Sequence, residues 1–396
     1  MVTSDYLKDA RVVVVGAGAI GSALAYRLAQ AGALVTTVER RFAGAGTTGA
    51  TFAYLNGVDK PPRAYHRLSV LGIRDQEDLA DEIGGDWVHV TGGLHWADAA
   101  DAAHATGLAR TMRQLLEWGA RVDRLTPAQV TAELEPDLRI DPDRVADVYH
   151  VDRAGWLDPV AMAHGTMSAA VRRYGARLVH AEVVALRRSD DMIEAVVFDD
   201  GTELGADIVI DAAGPDAARV AALAGVALPV QRTPGVLIVT GPAPVRLGRV
   251  AYAGEVHLRP DGGARLMIQW DALDTDVLDG SVLALDHPRI DEAMARARAV
   301  VPGLAGIEPE AVRIGIRPVP KDGYPLVGFD TTVANLYHVV THSGITLAAR
   351  LAALVTEELT GGDVTPLEPY RPARFAGSAG AAGTAGTAAT PPVRGE

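Results

Sequence analysis

The stretch that decides the fold is Arg11–Arg40, RVVVVGAGAIGSALAYRLAQAGALVTTVER. Val12–Val15 is an uninterrupted β-branched run, which is typical of a strand buried on both faces of a parallel sheet. Apolar residues then recur every three or four positions from Ile20 to Ala31, which predicts a helix. Leu34–Val38 predicts a second strand. The order strand, glycine turn, helix, strand is typical of a nucleotide-binding unit.

The three glycines of this turn have distinct physical uses. Gly16 permits a tight turn, Gly18 lets the backbone approach a pyrophosphate, and Gly21 lets the helix pack closely on the strand. The helix N-terminus offers N–H groups and a positive dipole end to phosphates. Glu39, at the end of the second strand, is placed to accept hydrogen bonds from a ribose. The pattern predicts an adenine-dinucleotide site without saying which dinucleotide, and a glycine-rich turn with no ligand is the alternative.

Composition excludes several function classes. The 396 residues are 48% hydrophobic, which is ample for a core, and they include no cysteine. Disulfides, thiolate metal sites, cysteine nucleophiles and a cysteine-linked flavin are therefore excluded. The net charge of −13 argues against a nucleic-acid surface. The polar start does not resemble a signal peptide and no apolar run approaches a membrane span, so we expect a cytoplasmic protein.

Helical and strand segments alternate along the chain in a way that predicts an α/β fold with two interleaved domains. Segments typical of nucleotide binding are separated by segments of a different character. Residues 376–396 are low in complexity and predict a disordered tail. We expect a nucleotide-binding domain made of residues 8–84, 141–230 and 321–372, and a second domain made of residues 85–140 and 231–320.

Five motifs in order give the chain a family resemblance from about residue 10 to residue 370. They are VVVVGAGAIGSALAYRLAQAGALVTTVER, GTTGATFAYLNG, IVIDAAGP, GIRPVPKDGYPLVG and VVTHSGITLAARLAALVTEELTGG. This series resembles the FAD-dependent amine and amino-acid oxidoreductases, the group of D-amino-acid oxidase, glycine oxidase and sarcosine oxidase. The resemblance implies a glutathione-reductase-type FAD-binding Rossmann domain interleaved with an antiparallel-sheet substrate domain.

The resemblance also implies FAD as the cofactor. The pyrophosphate would lie on the first glycine turn, the adenosine ribose on Glu39, and the flavin along Thr47–Ala50. The backbone of Val183 would meet adenine, with Val184 as the neighbour if the register slips by one. The first turn of the last long helix would stabilise negative charge on the flavin. The implied FAD-binding residues are Gly16, Gly18, Ala19, Ile20, Gly21, Glu39, Arg40, Thr47, Thr48, Ala50, Val183, Ala213, Gly214, Gly344, Ile345, Thr346 and Leu347.

Two residues are candidates on the substrate side. Arg317 matches the arginine that holds the substrate carboxylate in glycine oxidase and D-amino-acid oxidase, a paired contact that lysine does not reproduce. A surface ion pair is the alternative. His342 either lies beside the flavin or supports its loop. His338 and His342 are four residues apart, but the strand-and-loop context argues against a metal site, and we predict none.

The stretch HLRPDGGARLMIQW contains no lysine, whereas some oxygen-using relatives place a lysine over the flavin there. We therefore expect slow reaction with oxygen and another electron acceptor. Tyr252, Trp270, Tyr324 and His66 are candidate pocket-lining residues, although ordinary packing also explains their presence. His95 is equally well explained as an ordinary strand residue.

The predicted reaction is hydride transfer from the Cα–H of a neutral amine to flavin N5, which gives an imine that hydrolyses. This chemistry needs few acid–base residues, because the cofactor supplies the reactivity. An NAD(P)-dependent dehydrogenase and a non-catalytic FAD-bound subunit of a larger oxidase complex are the alternatives. Substrate identity, flavin attachment through histidine and the oligomeric state, a homo-oligomer included, stay open.

Overall fold

The structure is a computed structural model that describes residues 7–275 and 277–376. The predicted tail lies outside the described residues from residue 377 onward. The chain divides into two compact units, and each is made of separate pieces of the chain. Unit one comprises the described parts of Met1–Ala45, Ala163–Arg232 and Arg317–Glu396, and unit two comprises Gly46–Met162 and Thr233–Ile316.

The α-helices of the described residues are named in chain order. They are α1 (Ala19–Gln30), α2 (Arg63–Ile83), α3 (Ala102–Glu117), α4 (Pro127–Gln129), α5 (Pro159–Tyr174), α6 (Ala217–Leu223), α7 (Pro288–Val300) and α8 (Gly344–Leu359).

The strands of the same residues are named likewise. They are β1 (Arg11–Val15), β2 (Leu34–Glu39), β3 (Tyr54–Leu55), β4 (Val88–His89), β5 (Gly93–Trp96), β6 (Val122–Leu125), β7 (Val148–Val151), β8 (Gly155–Leu157), β9 (Arg177–His180), β10 (Val183–Ser189), β11 (Met192–Phe198), β12 (Glu203–Gly205), β13 (Ile208–Asp211), β14 (Val230–Thr240), β15 (Val250–Ala253), β16 (Val256–Pro260), β17 (Leu266–Trp270), β18 (Pro309–Pro320), β19 (Leu326–Phe329) and β20 (Leu336–Val340).

Unit one is built on a six-stranded sheet with the order β19-β20-β13-β1-β2-β9. The strand β1 runs parallel to β2 and β13, and β19 alone of the six is antiparallel to its neighbour. Val12–Val15 is buried, as the β-branched run predicted. The helices α1 and α8 pack against each other. The Rossmann-type fold expected for this part of the chain is confirmed.

The segment Arg177–Arg188 is not one continuous strand. It divides into β9, which extends the parallel sheet, and β10, which begins a separate antiparallel sheet of β10, β11 and β12. Apolar residues of that smaller sheet, among them Val196 and Phe198, share a core with Val13 and Val15. The apolar pattern alone does not show such a division, because both strands bury apolar side chains.

Unit two contains an eight-stranded sheet with the order β18-β14-β17-β16-β15-β5-β7-β6. In it β5 and β15 pair in parallel, whereas β17 with β14, β16 with β15 and β17, and β7 with β5 and β6 pair antiparallel. One face of the sheet carries apolar residues such as Leu94, Leu258 and Ile268, which form a core with Ile290 and Met294 of α7. A smaller sheet has the order β3-β8-β4. The antiparallel sheet expected from the resemblance is confirmed.

The helix α3 is followed directly by a strand of the larger sheet. It ends at Glu117, and Gly119 then adopts a φ of +91°, which turns the chain into β6. Leu115 is buried, whereas Leu116 is exposed. The short helix α4 begins with Thr126, whose side chain accepts the N–H of Gln129 in a capping box.

The boundaries of the two units differ from the predicted domain boundaries in several stretches. Residues 231–232 and 317–320, which were predicted for the second domain, belong to unit one. Residues 46–84 and 141–162, which the sequence pattern placed with the nucleotide-binding domain, belong to unit two.

Candidate functional site

The turn between β1 and α1 leaves no room for side chains at two of its glycines. Gly16 has a φ of +101°, and a Cβ added there would lie 2.7 Å from the carbonyl oxygen of Ala212. A Cβ at Gly21 would lie 1.9 Å from the carbonyl oxygen of Gly16. Gly18 is the N-cap of α1 and offers no side chain to its first turn. The backbone N–H groups at this helix start are therefore shaped to receive an anion.

Glu39 lies at the carboxyl end of β2, where its carboxylate contacts the same turn. Its Oε2 accepts the N–H of Ala17 at 3.0 Å and its Oε1 accepts the N–H of Arg41 at 3.0 Å. The carboxylate is thus fixed beside the glycine turn.

Three predicted cofactor segments converge at the carboxyl edge of the parallel sheet. The added Cβ of Gly16 would lie 3.1 Å from the Cα of Ala213, so the turn after β13 touches the turn after β1. A Cβ at Gly344 would lie 3.6 Å from Ile20, so the start of α8 meets the start of α1. In open α/β sheets this edge is where ligands bind.

A series of ion pairs connects the residues on the side of the site where adenine is predicted to bind. Arg40 lies 2.5 Å from an oxygen of Asp216 and 4.0 Å from an oxygen of Glu182. Arg219 lies 3.1 Å from Glu182, and it also donates to the carbonyl oxygen of Val183 at 3.4 Å. The structure therefore links Arg40 to the start of β10.

A buried histidine lies within the sheet, close to this edge. His338 of β20 is fully buried, with its Nδ1 3.3 Å from Asp211 Oδ2 and its Nε2 3.4 Å from Asp330 Oδ2. Burial alone would lower the pKa of His338, but the two carboxylates outweigh it and raise the pKa to about 9. Burial would raise the pKa of Asp330, but hydrogen bonds from His338 and Thr332 outweigh it and lower that pKa below its usual range.

In unit two the predicted flavin segment lies against the strand that leads to Arg317. Thr47 donates its hydroxyl to the carbonyl oxygen of Ile316, the residue before Arg317. A Cβ at Gly315 would lie 1.9 Å from the carbonyl oxygen of Ala50. These two predicted segments are therefore brought together, although they are separated by more than 260 residues of sequence.

The sheet of unit two carries a row of polar residues that was not predicted from the sequence. The strands pair so that His95 lies opposite Tyr252, Tyr252 opposite His257, and His257 opposite Gln269. Residues at paired positions share one face of a sheet. We call these four residues the polar row. Their strand neighbours, such as Leu258, belong to the apolar core on the opposite face.

The side chains of the polar row contact one another. The rings of His95 and Tyr252 stack with centroids 4.9 Å apart, and those of Tyr252 and His257 are 3.9 Å apart. The hydroxyl of Tyr54 lies 2.8 Å from His95 Nε2. Burial, followed by the charge of His257, lowers the pKa of His95 to about 3, so this ring is neutral. Burial likewise raises the pKa of Tyr54.

Arg259 follows on the same face of β16 and is only 1% exposed. Its guanidinium donates to the carbonyl oxygens of Phe52 and Pro260 and pairs with Asp261 at 3.0 Å. It also lies over the ring of Trp156 at 5.5 Å. Burial lowers the pKa of Arg259 to about 10, an effect that Asp261 opposes. This cation is saturated by the protein itself and fixes the backbone of Phe52.

Two of the candidate pocket-lining residues, Trp270 and His66, have structural roles. Trp270 packs in the apolar core on the other face of the sheet. His66 pairs through Nδ1 with the carbonyl oxygen of Gly57 at 2.8 Å and packs on Trp118, so it supports its loop. The polar residues at alternate positions of GLHW, VAYA and VHLRP are the sequence feature that would have pointed to the polar row.

The remaining predicted site residues have simple locations. Arg317 lies in β18 and is half-buried, and His342 is half-buried in the loop between β20 and α8. Thr48 lies in a short turn of 3₁₀ helix, Thr47–Ala50. Gly214 follows β13 with a φ of +58°, and the stretch Ile345, Thr346 and Leu347 forms the buried first turn of α8.

These residues fit a flavin dinucleotide. The cradle at Gly16 and Gly21 is open only because side chains are absent, and Glu39 is held beside it. Across residues 7–275 and 277–376, no cluster of three or more metal-binding side chains is arranged as a metal site. No helix of that described part has the length and apolar character that crossing a membrane requires.

Comparison with known proteins agrees with this geometry. The glycine oxidase of Pseudomonas aeruginosa is 28% identical over 371 residues, covering 89% of this chain and 95% of that protein. The crystal structure of glycine oxidase from Geobacillus kaustophilus superimposes with a TM-score of 0.78 at 25% identity, covering 91% of this chain and 98% of the other. L-proline dehydrogenase from P. horikoshii shares the fold with a TM-score of 0.81 at 21% identity, covering 94% and 99%.

The sequence profile of one family, described as FAD dependent oxidoreductase (DAO), matches residues 11–358. That match includes the glycine turn, the segment around Arg317 and the whole of α8 except its last residue. The chain therefore belongs to the FAD dependent oxidoreductase (DAO) family, and FAD is its cofactor.

Proposed function

We propose that this enzyme oxidises an amino acid or a secondary amine at the carbon that bears the nitrogen. The observation that supports the substrate class best is the position of Arg317, one residue beyond the carbonyl that Thr47 holds. A guanidinium in that place suits a carboxylate, which it binds in a paired and directional way. Glycine oxidases of two bacteria are among the relatives, which agrees with such a substrate.

In this proposal one set of residues binds the parts of FAD. Gly16, Gly18, Ala19, Ile20 and Gly21 would hold the pyrophosphate. The ribose would meet Glu39 with Arg40 at its side, and the other predicted FAD-binding residues keep the roles that the resemblance implies: Thr47, Thr48, Ala50, Val183, Ala213, Gly214, Gly344, Ile345, Thr346 and Leu347.

The polar row supports a substrate that carries polar groups. Buried histidine and tyrosine side chains on a sheet face are costly unless they are paired or meet a ligand. His95 and Tyr252 pair with their neighbours, which leaves the end of the row around His257 and Gln269 as the part suited to a substrate. His342 would support the loop that precedes α8.

When bound, FAD would supply the oxidising power for removing the Cα hydrogen as hydride. The protein orients the substrate through Arg317 and keeps the amine nitrogen neutral so that its lone pair assists the departure of the hydride. The product imine then hydrolyses in water. The electron acceptor that completes the cycle is oxygen or another oxidant.

An anaerobic titration tests this function directly. The purified FAD-loaded protein is mixed with D- and L-amino acids and N-methyl amines, and the absorbance of oxidised flavin is followed. Bleaching by at least one member that carries a carboxylate is the expected result. If no member of the panel bleaches the flavin while dithionite does, the proposal is wrong and a non-catalytic FAD-bound subunit becomes the better description.

A further inference from the structure

One imidazole nitrogen of the polar row has no partner. His257 is 3% exposed, and its Nε2 lies 3.4 Å from Asp271 Oδ1. Its Nδ1 is buried and has no hydrogen-bond partner among the described residues. A buried polar atom without a partner costs about 1–3 kcal/mol, so native proteins rarely keep one without a reason.

The surroundings of His257 offer this nitrogen little compensation. The ring of Tyr252 lies 3.9 Å away between centroids, and that of Phe52 lies 6.5 Å away in an edge arrangement. Aromatic faces and edges of this kind do not satisfy an imidazole nitrogen fully. The Nδ1 atom is therefore suited to a ligand that brings its own N–H group.

The location of His257 relates it to the chemistry. Phe52 stands two residues after Ala50, the last residue of the segment proposed to lie along the flavin, and its carbonyl oxygen accepts a hydrogen bond from Arg259. The contact between the rings of Phe52 and His257 therefore places this imidazole close to that segment within unit two. This step rests on the function proposed above.

The proposed oxidation has a requirement that Arg317 does not meet. Amines of this class are largely protonated near neutral pH, and an ammonium nitrogen has no lone pair to assist hydride departure. A proton must leave the nitrogen before the Cα–H bond breaks. A general base within hydrogen-bond reach is the usual solution and contributes about 10²–10⁴-fold to the rate.

We propose that His257 is this base. Its Nδ1 accepts a proton from the substrate ammonium group: the N–H bond of the substrate breaks, the electron pair stays on the substrate nitrogen, and an N–H bond forms at Nδ1. Asp271 accepts the hydrogen of Nε2, which keeps the lone pair on Nδ1 and stabilises the imidazolium that results. The substrate then carries a neutral amine.

The other titratable and charged groups that face His257 do not take this role. They are Asp271 after β17, Tyr252 on β15, His95 on β5, Tyr54 on β3 and Arg259 on the same strand. Burial lowers the pKa of His95 to about 3 and raises that of Tyr54, so neither is a base at neutral pH. Arg259 is a saturated cation, and Asp271 is engaged by Nε2.

The pH dependence of kcat/KM separates this role from a structural one. In His257→Gln only the neutral fraction of the substrate in solution is productive. We expect kcat/KM to fall about 10²–10⁴-fold at neutral pH, to rise about tenfold per pH unit, and to approach the wild-type value above the pKa of the substrate ammonium group. His104→Gln, on the exposed surface of α3, is the matched control and should follow the wild type.

A second measurement needs no turnover. The FAD-loaded protein is labelled with ¹⁵N-histidine and titrated with 2-aminoisobutyrate, an amine that has a carboxylate but no Cα–H. One histidine, absent from the spectrum of His257→Gln, should change its Nδ1 from unprotonated to protonated. Asp271→Asn should weaken both this change and the rate.

The outcomes distinguish the two levels of the proposal. A wild type that no amine reduces would overturn the proposed function itself. A wild type that is reduced, together with a His257→Gln variant of unchanged pH profile and no protonation at Nδ1, would overturn only the role of His257. If His257→Gln fails to bind FAD, His257→Asn with added imidazole replaces it, and absence of rescue together with an unchanged profile has the same meaning.

Discussion

His338 Nδ1 lies 3.3 Å from Asp211 Oδ2, and the other oxygen of that carboxylate accepts the N–H of Ala213 at 3.2 Å. The carboxylate of Asp211 therefore joins the buried imidazolium of β20 to the turn after β13. That turn belongs to the carboxyl edge of the parallel sheet, where the cofactor is predicted to bind. His338, Asp211 and Ala213 all belong to unit one, so these contacts stabilise the nucleotide-binding sheet of that unit.

The first prediction concerns the pH dependence of stability. The pKa of His338 is raised to about 9, so its contribution is complete below the ordinary histidine pKa of about 6.5 and is lost as the pH rises through about 9. We expect the free energy of unfolding to fall by about 3 kcal/mol between about pH 6.5 and about pH 9.5. Urea unfolding of His338→Gln should lack this fall, and an equal fall in both proteins would contradict the assignment.

The second prediction concerns the glycine cradle. Gly16→Ala places a side chain on a backbone with positive φ and brings its Cβ too close to the carbonyl oxygen of Ala212. We therefore expect the free energy of unfolding to fall by at least about 2 kcal/mol and FAD binding to be lost. Gly107→Ala is the control, since Gly107 lies within α3 and an added Cβ there meets nothing within 4 Å. The control should gain about 0.5–1 kcal/mol and keep the flavin. Thermal unfolding with flavin fluorescence measures both effects.

The third prediction tests the carboxylate partner. A charge-assisted hydrogen bond contributes about 1.5–3 kcal/mol, so Arg317→Met should lower kcat/KM about 10–150-fold for a substrate with a carboxylate. Arg317→Lys should recover only part of this loss, because lysine lacks the planar fork. Arg74→Lys, at a side chain that is 72% exposed on α2, is the control. Equal losses for amines with and without a carboxylate would argue against a direct contact.

The fourth prediction concerns the electron acceptor. The face of β16 and β17 that holds the polar row carries His257, Arg259 and Gln269 but no lysine. We expect slow reoxidation by air after anaerobic reduction and faster turnover with an artificial acceptor such as dichlorophenolindophenol. Stopped-flow mixing with oxygenated buffer gives the rate, and fast reoxidation by oxygen alone would refute this expectation.

The nucleotide-binding part of the fold was predictable because its determinants are local. The valine run, the glycine turn and the apolar period of α1 lie within Arg11–Gln30, and the structure forms each element where the pattern indicated. The start of α4 depends in the same way on the near neighbours Thr126 and Gln129. Interactions between near neighbours in sequence decide such elements.

The polar row was not predictable in the same way. His95 and Tyr252 stack because β5 and β15 pair in register, although 157 positions separate the two residues. A single sequence shows that each lies in a strand but does not show which strands are neighbours. The partners of His338 were hidden for the same reason, since Asp211 is brought beside it only by the pairing of β13 with β20.

The packing of α8 on α1 has a consequence for biosynthesis. During synthesis the glycine turn leaves the ribosome well before the strand β20 and the helix α8 that pack around it. A nascent chain therefore carries an incomplete glycine cradle until β20 and α8 have been synthesised. We therefore expect FAD to bind only after β20 has joined the sheet and α8 has packed on α1.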